Sequence, residues 1–382
     1  MNRSERVIYT ADAVYNGVGL PLADAGVLVS SADTIVAFGK LEGLQMQFPD
    51  VAVQHLGTAI LPAPVNAHTH LDLSRVPLKA MPYYRWIPDH IVANRALRGL
   101  EGARIGLGAL RSSDIGAFGD IVNSAEVMEF LLRESDLAGV AHWEIFKPNP
   151  LDAQITHDET VQHLRDWRKL EGAVRLGLSL HAPFSVSSGL LKSLSSVAKL
   201  EGLPLQIHVA EHPSELELFR SGTGPLAESW LSAGMPPLEV TIGRKPDPDL
   251  TPVKYLAELG VLDAKPTLIH MGGVTEEDVR IVAQFGCSVV TCPRSNRNLE
   301  CGVFPWQLYA KYGVEVGLGT DSVASGETLD IRDEVRSALE VHPALGLSTV
   351  LRWAVRGGYK ALGMKTPVVA RGDDFSKLTV WK

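Results

Sequence analysis

The sequence predicts a (β/α)8 TIM-like barrel flanked by a small β-sandwich formed by both chain termini. Three observations predict it. From about Thr58 onward, apolar runs of strand length alternate with longer amphipathic stretches, the signature of repeated strand-helix units around a parallel sheet. The candidate strands end near His68, Asn123, Phe146, His181, His208, His270, Cys292 and Thr320, which makes eight units. Ahead of them, Val7 to about Gly57 carries short β-branched runs separated by Gly, Asp and Ser turns, and Val368 to Trp381 returns to that texture.

In the N-terminal layer, Gly26-Val27-Leu28-Val29-Ser30 and Thr34-Ile35-Val36-Ala37-Phe38 read as strands. Residues 1–57 with 364–382 are expected to form the sandwich and 58–363 the barrel. Helices fit between the barrel strands, for example Thr160 to Leu170 and Glu276 to Phe285. The latter opens with Thr275 as a cap and places Glu276, Glu277 and Asp278 at the positive end of the helix dipole. From Gly222 to Pro252 the chain is rich in Pro and Gly. A partly irregular loop is expected there, on the face bearing His208, as a lid or as a solvated excursion.

At 382 residues, 45% hydrophobic and 21% charged, the chain can bury one large core. Thirty-six Lys and Arg against 44 Asp and Glu leave a net charge of -8, no footprint for nucleic acid or an anionic membrane. A small-molecule substrate is the expected partner. The first ten residues hold no apolar core of signal-peptide length, and nothing later is apolar for the ~18 residues a span needs, so a cytoplasmic location is expected. Cys287, Cys292 and Cys301 lack C-x-x-C spacing and read as buried free thiols.

Polar residues at the ends of the predicted strands carry the chemistry. His68 and His70 in Asn66-Ala67-His68-Thr69-His70, His208 in Ile207-His208-Val209-Ala210-Glu211, His270 in Leu268-Ile269-His270 and Asp321 in Gly319-Thr320-Asp321-Ser322 each follow a short apolar run. Residues i and i+2 of a strand face the same side, so His68 and His70 can converge on one ion. A barrel gathers all its strand ends on one rim. Imidazole nitrogens with one carboxylate suit a divalent, zinc-like ion, and a set that leaves a coordination position free belongs to a catalytic site. His270 reads equally as a fourth ligand or as the group that holds the attacking water. Asp321 is expected to ligate and to take a proton, against the alternative of a helix cap. Glu211, three residues after His208, is the expected proton carrier, since zinc deaminases need a glutamate that is not a ligand.

Taken in this order, with Pro64 to Asp72, His181-Ala182-Pro183-Phe184-Ser185-Val186-Ser187 and Cys292-Pro293-Arg294-Ser295-Asn296, the chain resembles the deaminase branch of the amidohydrolase superfamily from about residue 5 to the end. The resemblance implies that His68, His70, His208 and Asp321 hold one divalent ion, zinc first and iron as the alternative. It implies that Glu211 and Asp321 shuttle protons and that His270 orients the water. Two-metal members of the superfamily carry a bridging lysine on the fourth strand, whereas Arg175 to Ser187 holds none, so one metal is expected.

Further substrate contacts are expected at His181, against a purine nitrogen, at Arg85 and Trp86 in Tyr83-Tyr84-Arg85-Trp86-Ile87-Pro88-Asp89, and at Ser322 beside Asp321. Arg294 and Arg297, flanking Ser295-Asn296, are expected to pair with a substrate carboxylate, against the alternative of solvated rim arginines. The resemblance implies hydrolytic deamination of a 6-aminopurine nucleoside with loss of ammonia. Aminodeoxyfutalosine, a menaquinone precursor with a benzoate-like carboxylate, is the first expectation. S-adenosylhomocysteine, methylthioadenosine, adenosine, or another cyclic amidine or amide are the alternatives. A homodimer is left open.

Overall fold

The computed structural model describes residues 6–382, so the expectation drawn from the very start of the chain falls partly outside the described residues. Among the described residues, thirteen strands form two sheets. Strands β1 (Val7–Val14), β2 (Leu22–Val29), β3 (Ile35–Lys40), β4 (Ala52–Pro62) and β13 (Leu378–Trp381) build the terminal layer in the order β13-β4-β1-β2-β3. β13 runs antiparallel to β4, which brings the two chain ends together as their texture predicts. β4 passes through the expected junction at residues 57 and 58, because its C-terminal half, buried from Ala59 to Leu61, still pairs with β1 and β13. The layer has its own small core of Ala11, Val27, Val29, Ile35, Ile60 and Val369.

The second sheet is the barrel. β5 (Val65–Thr69), β6 (Ala117–Val122), β7 (Gly139–Ile145), β8 (Val174–Leu180), β9 (Leu205–Val209), β10 (Thr267–His270), β11 (Ser288–Thr291) and β12 (Val316–Leu318) follow one another in sequence order. All are paired in parallel. Their near-continuous burial is what a sheet covered on both faces requires. The sheet closes where a parallel bridge joins Thr69 to Asp321 and the Asp321 N–H donates to the His68 carbonyl at 3.1 Å.

The helix Glu276–Phe285 starts with a capping box, Thr275 Oγ1 accepting from the Asp278 N–H and the Asp278 carboxylate accepting from the Thr275 N–H. The helix expected from Thr160 begins earlier, at Ala153, because Asn149 caps the turn before it and its largely exposed first turns carry no apolar stripe to read. The 222–252 segment folds into two short helices, Pro225–Ser232 and Leu238–Ile242. Cys287, Cys292 and Cys301 are free and buried. No helix among the described residues is long and apolar enough to cross a membrane.

Candidate metal and active site

The strand ends bring the distant histidines together. Ligand atoms of His68, His70 and His208 lie within 4.8 Å of one another, and so do those of Glu211, His270 and Asp321. His68 and His208 have ring centroids 4.9 Å apart, His208 and His270 5.7 Å. Asp321 Oδ1 is 3.4 Å from His70 Nε2 and 3.9 Å from His68 Nε2, which ties the two clusters into one site.

Three of the four imidazoles are oriented by their far nitrogen. Gln206 uses its amide nitrogen to donate to the Ala67 carbonyl at 2.9 Å, so its Oε1 accepts from His68 Nδ1–H at 3.1 Å. His208 Nδ1–H donates to the His181 carbonyl at 3.0 Å, and His270 Nδ1 meets Asn296 Oδ1 at 2.9 Å. These bonds leave the Nε2 lone pairs facing inward, the tautomer a metal ligand needs. Burial, followed by repulsion from His208, pushes the His68 pKa well down and keeps it neutral. Its Nε2 is buried without a hydrogen-bond partner, an uncompensated cost unless a cation accepts the lone pair. The donor set therefore fits a divalent ion.

Asp321 is held from its other oxygen, Oδ2 accepting from Ser295 Oγ at 2.6 Å and Ser325 Oγ at 2.8 Å. Burial would raise its pKa, but His270, His68 and those hydroxyls outweigh burial and lower it. Glu211 is fixed through its backbone, since the Ala210 and Glu211 N–H groups donate to the Glu215 carboxylate at 3.0 and 2.8 Å. Its carboxyl is hydrogen-bonded with Tyr83 and lies 3.6 Å from His270 Nε2. Burial, then Asp321 and Glu215, push its pKa well up toward the protonated form of a proton donor. Ala210, His270 and Asp321 all take positive φ, a backbone strain found where strand ends must turn side chains into a site.

A cavity of about 410 Å³ opens onto this cluster. His181 and Trp86, both expected substrate contacts, line it. His181 Nδ1 is 2.6 Å from Ser185 Oγ, and burial followed by Arg98 pushes its pKa down to about 4. Leu226, Ser229, Trp230, Ala233 and Met235 also line the cavity, so the 222–252 segment is one of its walls.

Four expected contacts do not line it. Arg85 is 62% exposed and bound to Asp89 one turn along, because the helix that turns Trp86 inward turns its neighbour out. Arg294 is buried, its Nε 2.6 Å from Glu334 Oε1 and its Nη2 donating to the Thr328 carbonyl at 2.8 Å. Arg297 lies toward Glu340 beside a separate pocket with Phe304, His342 and Trp353. Ser322 is fully buried, 3.1 Å from Ser325 Oγ.

Sequence reasoning passed over Gln206, which the i,i+2 rule places on the same face as His208. It also passed over Asn296 and Ser295, which sit beside Arg294 in the same short segment. Arg98, Asn123 and Glu144 line the cavity too; Glu144 is hydrogen-bonded with Asn123 through one oxygen, and its Oε1 is buried without a partner.

Comparison with known proteins gives four findings. Residues 59–381 match the family model described as the amidohydrolase family. The chain is 48% identical to the aminodeoxyfutalosine deaminase of Deinococcus radiodurans over 98% of this chain and 90% of that one. It is 28% identical to a 5-methylthioadenosine/S-adenosylhomocysteine deaminase of Thermococcus onnurineus over 94% and 81%. In fold it is similar to the Helicobacter pylori aminofutalosine deaminase solved with methylthio-coformycin, with a TM-score of 0.74 at 22% identity, over 97% and 90% of the two chains.

Proposed function

The chain belongs to the amidohydrolase family, and from that premise we propose that it is a hydrolytic deaminase of 6-aminopurine nucleosides with aminodeoxyfutalosine as its substrate. The carrying observation is the meeting of His68, His70 and His208 with Glu211, His270 and Asp321 in one cavity, in a chain so close to an aminodeoxyfutalosine deaminase.

His68, His70, His208 and Asp321 would hold one divalent ion, zinc by the character of its donors. When bound, that ion supplies a Lewis acid that lowers the pKa of water toward ~7. Glu211, protonated and steadied by Tyr83, donates to the purine ring nitrogen beside the carbon that bears the amino group. Water adds to that carbon, with Asp321 taking one of its protons and the His270 Nε2 lone pair accepting a hydrogen bond from the other. The proton on Asp321 passes to the amino group, the carbon–nitrogen bond breaks and ammonia leaves, while the remaining hydroxyl proton returns to Glu211, so that the 6-oxo purine forms and both carboxyls are restored. His181 meets the purine from the β8 side of the cavity, and Trp86 covers its face.

Ammonia release from a panel of aminodeoxyfutalosine, methylthioadenosine, S-adenosylhomocysteine and adenosine tests the reading. Aminodeoxyfutalosine is expected to have the highest kcat/KM. A protein that releases no ammonia from any member of the panel is not this deaminase.

A further inference from the structure

The two arginines expected to read a substrate carboxylate lie outside the cavity, yet the cavity has a cation of its own. Among its lining residues Arg98 is the only lysine or arginine. We propose that Arg98 binds the carboxylate of the substrate's tail and sets the enzyme's preference for an aromatic carboxylate over a neutral 5′ substituent, an assignment that rests on the deaminase reading above.

Arg98 is fastened from one side only. Its Nε donates to Asp72 Oδ2 at 2.8 Å, and among the described residues its guanidinium makes no other hydrogen bond. Asp72 is buried and its backbone is held from both sides. Its carbonyl accepts from the Gly99 N–H at 3.3 Å, and Gly102 packs so closely that a Cβ there would meet that carbonyl at 2.3 Å. The guanidinium thus projects from a buried anchor with both terminal nitrogens uncommitted, in a side chain only 26% exposed. That is the donor edge that matches the two oxygens of a carboxylate. The same cavity is lined by the aromatic faces of Trp86, Phe146, Phe184 and Trp230, with Phe146 and Trp230 ring centroids 5.8 Å apart. An aromatic ring that carries the carboxylate would pack there.

Kinetics on the metal-loaded enzyme with aminodeoxyfutalosine and with methylthioadenosine, which lacks a carboxylate, test the assignment. Arg98→Met is expected to lower kcat/KM for aminodeoxyfutalosine about 10- to 100-fold, carried by KM, and to change methylthioadenosine by less than about threefold. An equal loss on both, or none on either, overturns the assignment while leaving the deaminase reading standing. The wild type with the methyl ester of aminodeoxyfutalosine gives the same answer without a substitution. Its kcat/KM should fall by a similar factor, and an ester turned over as well as the acid overturns the proposal. A wild type inactive on every nucleoside would instead sink the deaminase reading, and this assignment with it.

Discussion

Across the seam of the barrel, Asp321 donates its backbone N–H to the carbonyl oxygen of His68 at 3.1 Å. The contact that closes the sheet therefore also fixes the spacing of two side chains proposed to share an ion. Stability and metal affinity are therefore expected to be coupled at that point.

Gly319, two residues before Asp321, is the position where that coupling can be read. A Cβ at Gly319 would meet His68 Cβ at 2.7 Å and the His68 carbonyl at 2.9 Å, closer than real contacts allow. Gly319→Ala is expected to push the seam apart, costing about 1–3 kcal/mol and weakening metal affinity together. Thermal melts with and without a chelator check it. A variant that melts lower but keeps wild-type metal affinity would show that the two are not linked.

Glu211→Gln removes the proton and keeps the shape. The backbone N–H bonds to Glu215 that hold this turn do not involve the Glu211 side chain, so the metal content of the purified protein should stay at the wild-type level. The rate should fall by about 10²- to 10⁴-fold, the usual contribution of a general acid. Near-normal turnover would remove Glu211 from the proposed mechanism.

Arg294→Met should act on stability and not on substrate recognition. The substitution leaves Glu334, fully buried, without its cationic partner, at a cost of about 3–5 kcal/mol. Denaturant titration should report that loss, and the folded enzyme should bind substrate with an unchanged KM. A raised KM with unaltered stability would restore Arg294 as a carboxylate contact. Adding Glu334→Gln should recover part of the stability by removing the stranded charge.

The barrel and the histidine–carboxylate cluster were legible because their signals are local and repeat. A strand end is marked by a short apolar run, and the closed sheet sends every such end to one rim, so His68, His70, His208, His270 and Asp321 could be grouped without knowing the loops. The arginines were not legible for the opposite reason. Arg85, Arg98, Arg294 and Arg297 all lie beyond strand ends, and which of them faces the cavity depends on partners far away in sequence. Arg294 is claimed by Glu334, 40 residues on, and Arg98 is positioned by Asp72, 26 residues back. Likewise the Pro- and Gly-rich texture of 222–252 announces irregular backbone but not that Trp230 packs against Phe184 at 5.3 Å between ring centroids.

His142 should make the protein lose stability in acid. It sits on β7 fully buried, its Nδ1 3.3 Å from the Asp120 carbonyl and its Nε2 without a partner. Burial, helped by Arg175 and opposed by that carbonyl, pushes its pKa down to about 3. In the unfolded chain the same group titrates near ~6.5. Between those values the unfolded state takes up a proton that the folded state refuses, so this stabilisation is complete above the unfolded pKa and is lost as pH falls toward 3. The slope from this one group approaches about 1.4 kcal/mol per pH unit. The other buried histidines add slopes of the same sign, but they are common to wild type and variant. In His142→Asn, which keeps a donor for the Asp120 carbonyl, denaturant titrations at pH 7.5, 6 and 5 should show a shallower decline than the wild type, by about 1 kcal/mol between pH 6 and 5 and by less above pH 6. Parallel declines in the two proteins would mean that His142 is protonated as readily when folded as when unfolded.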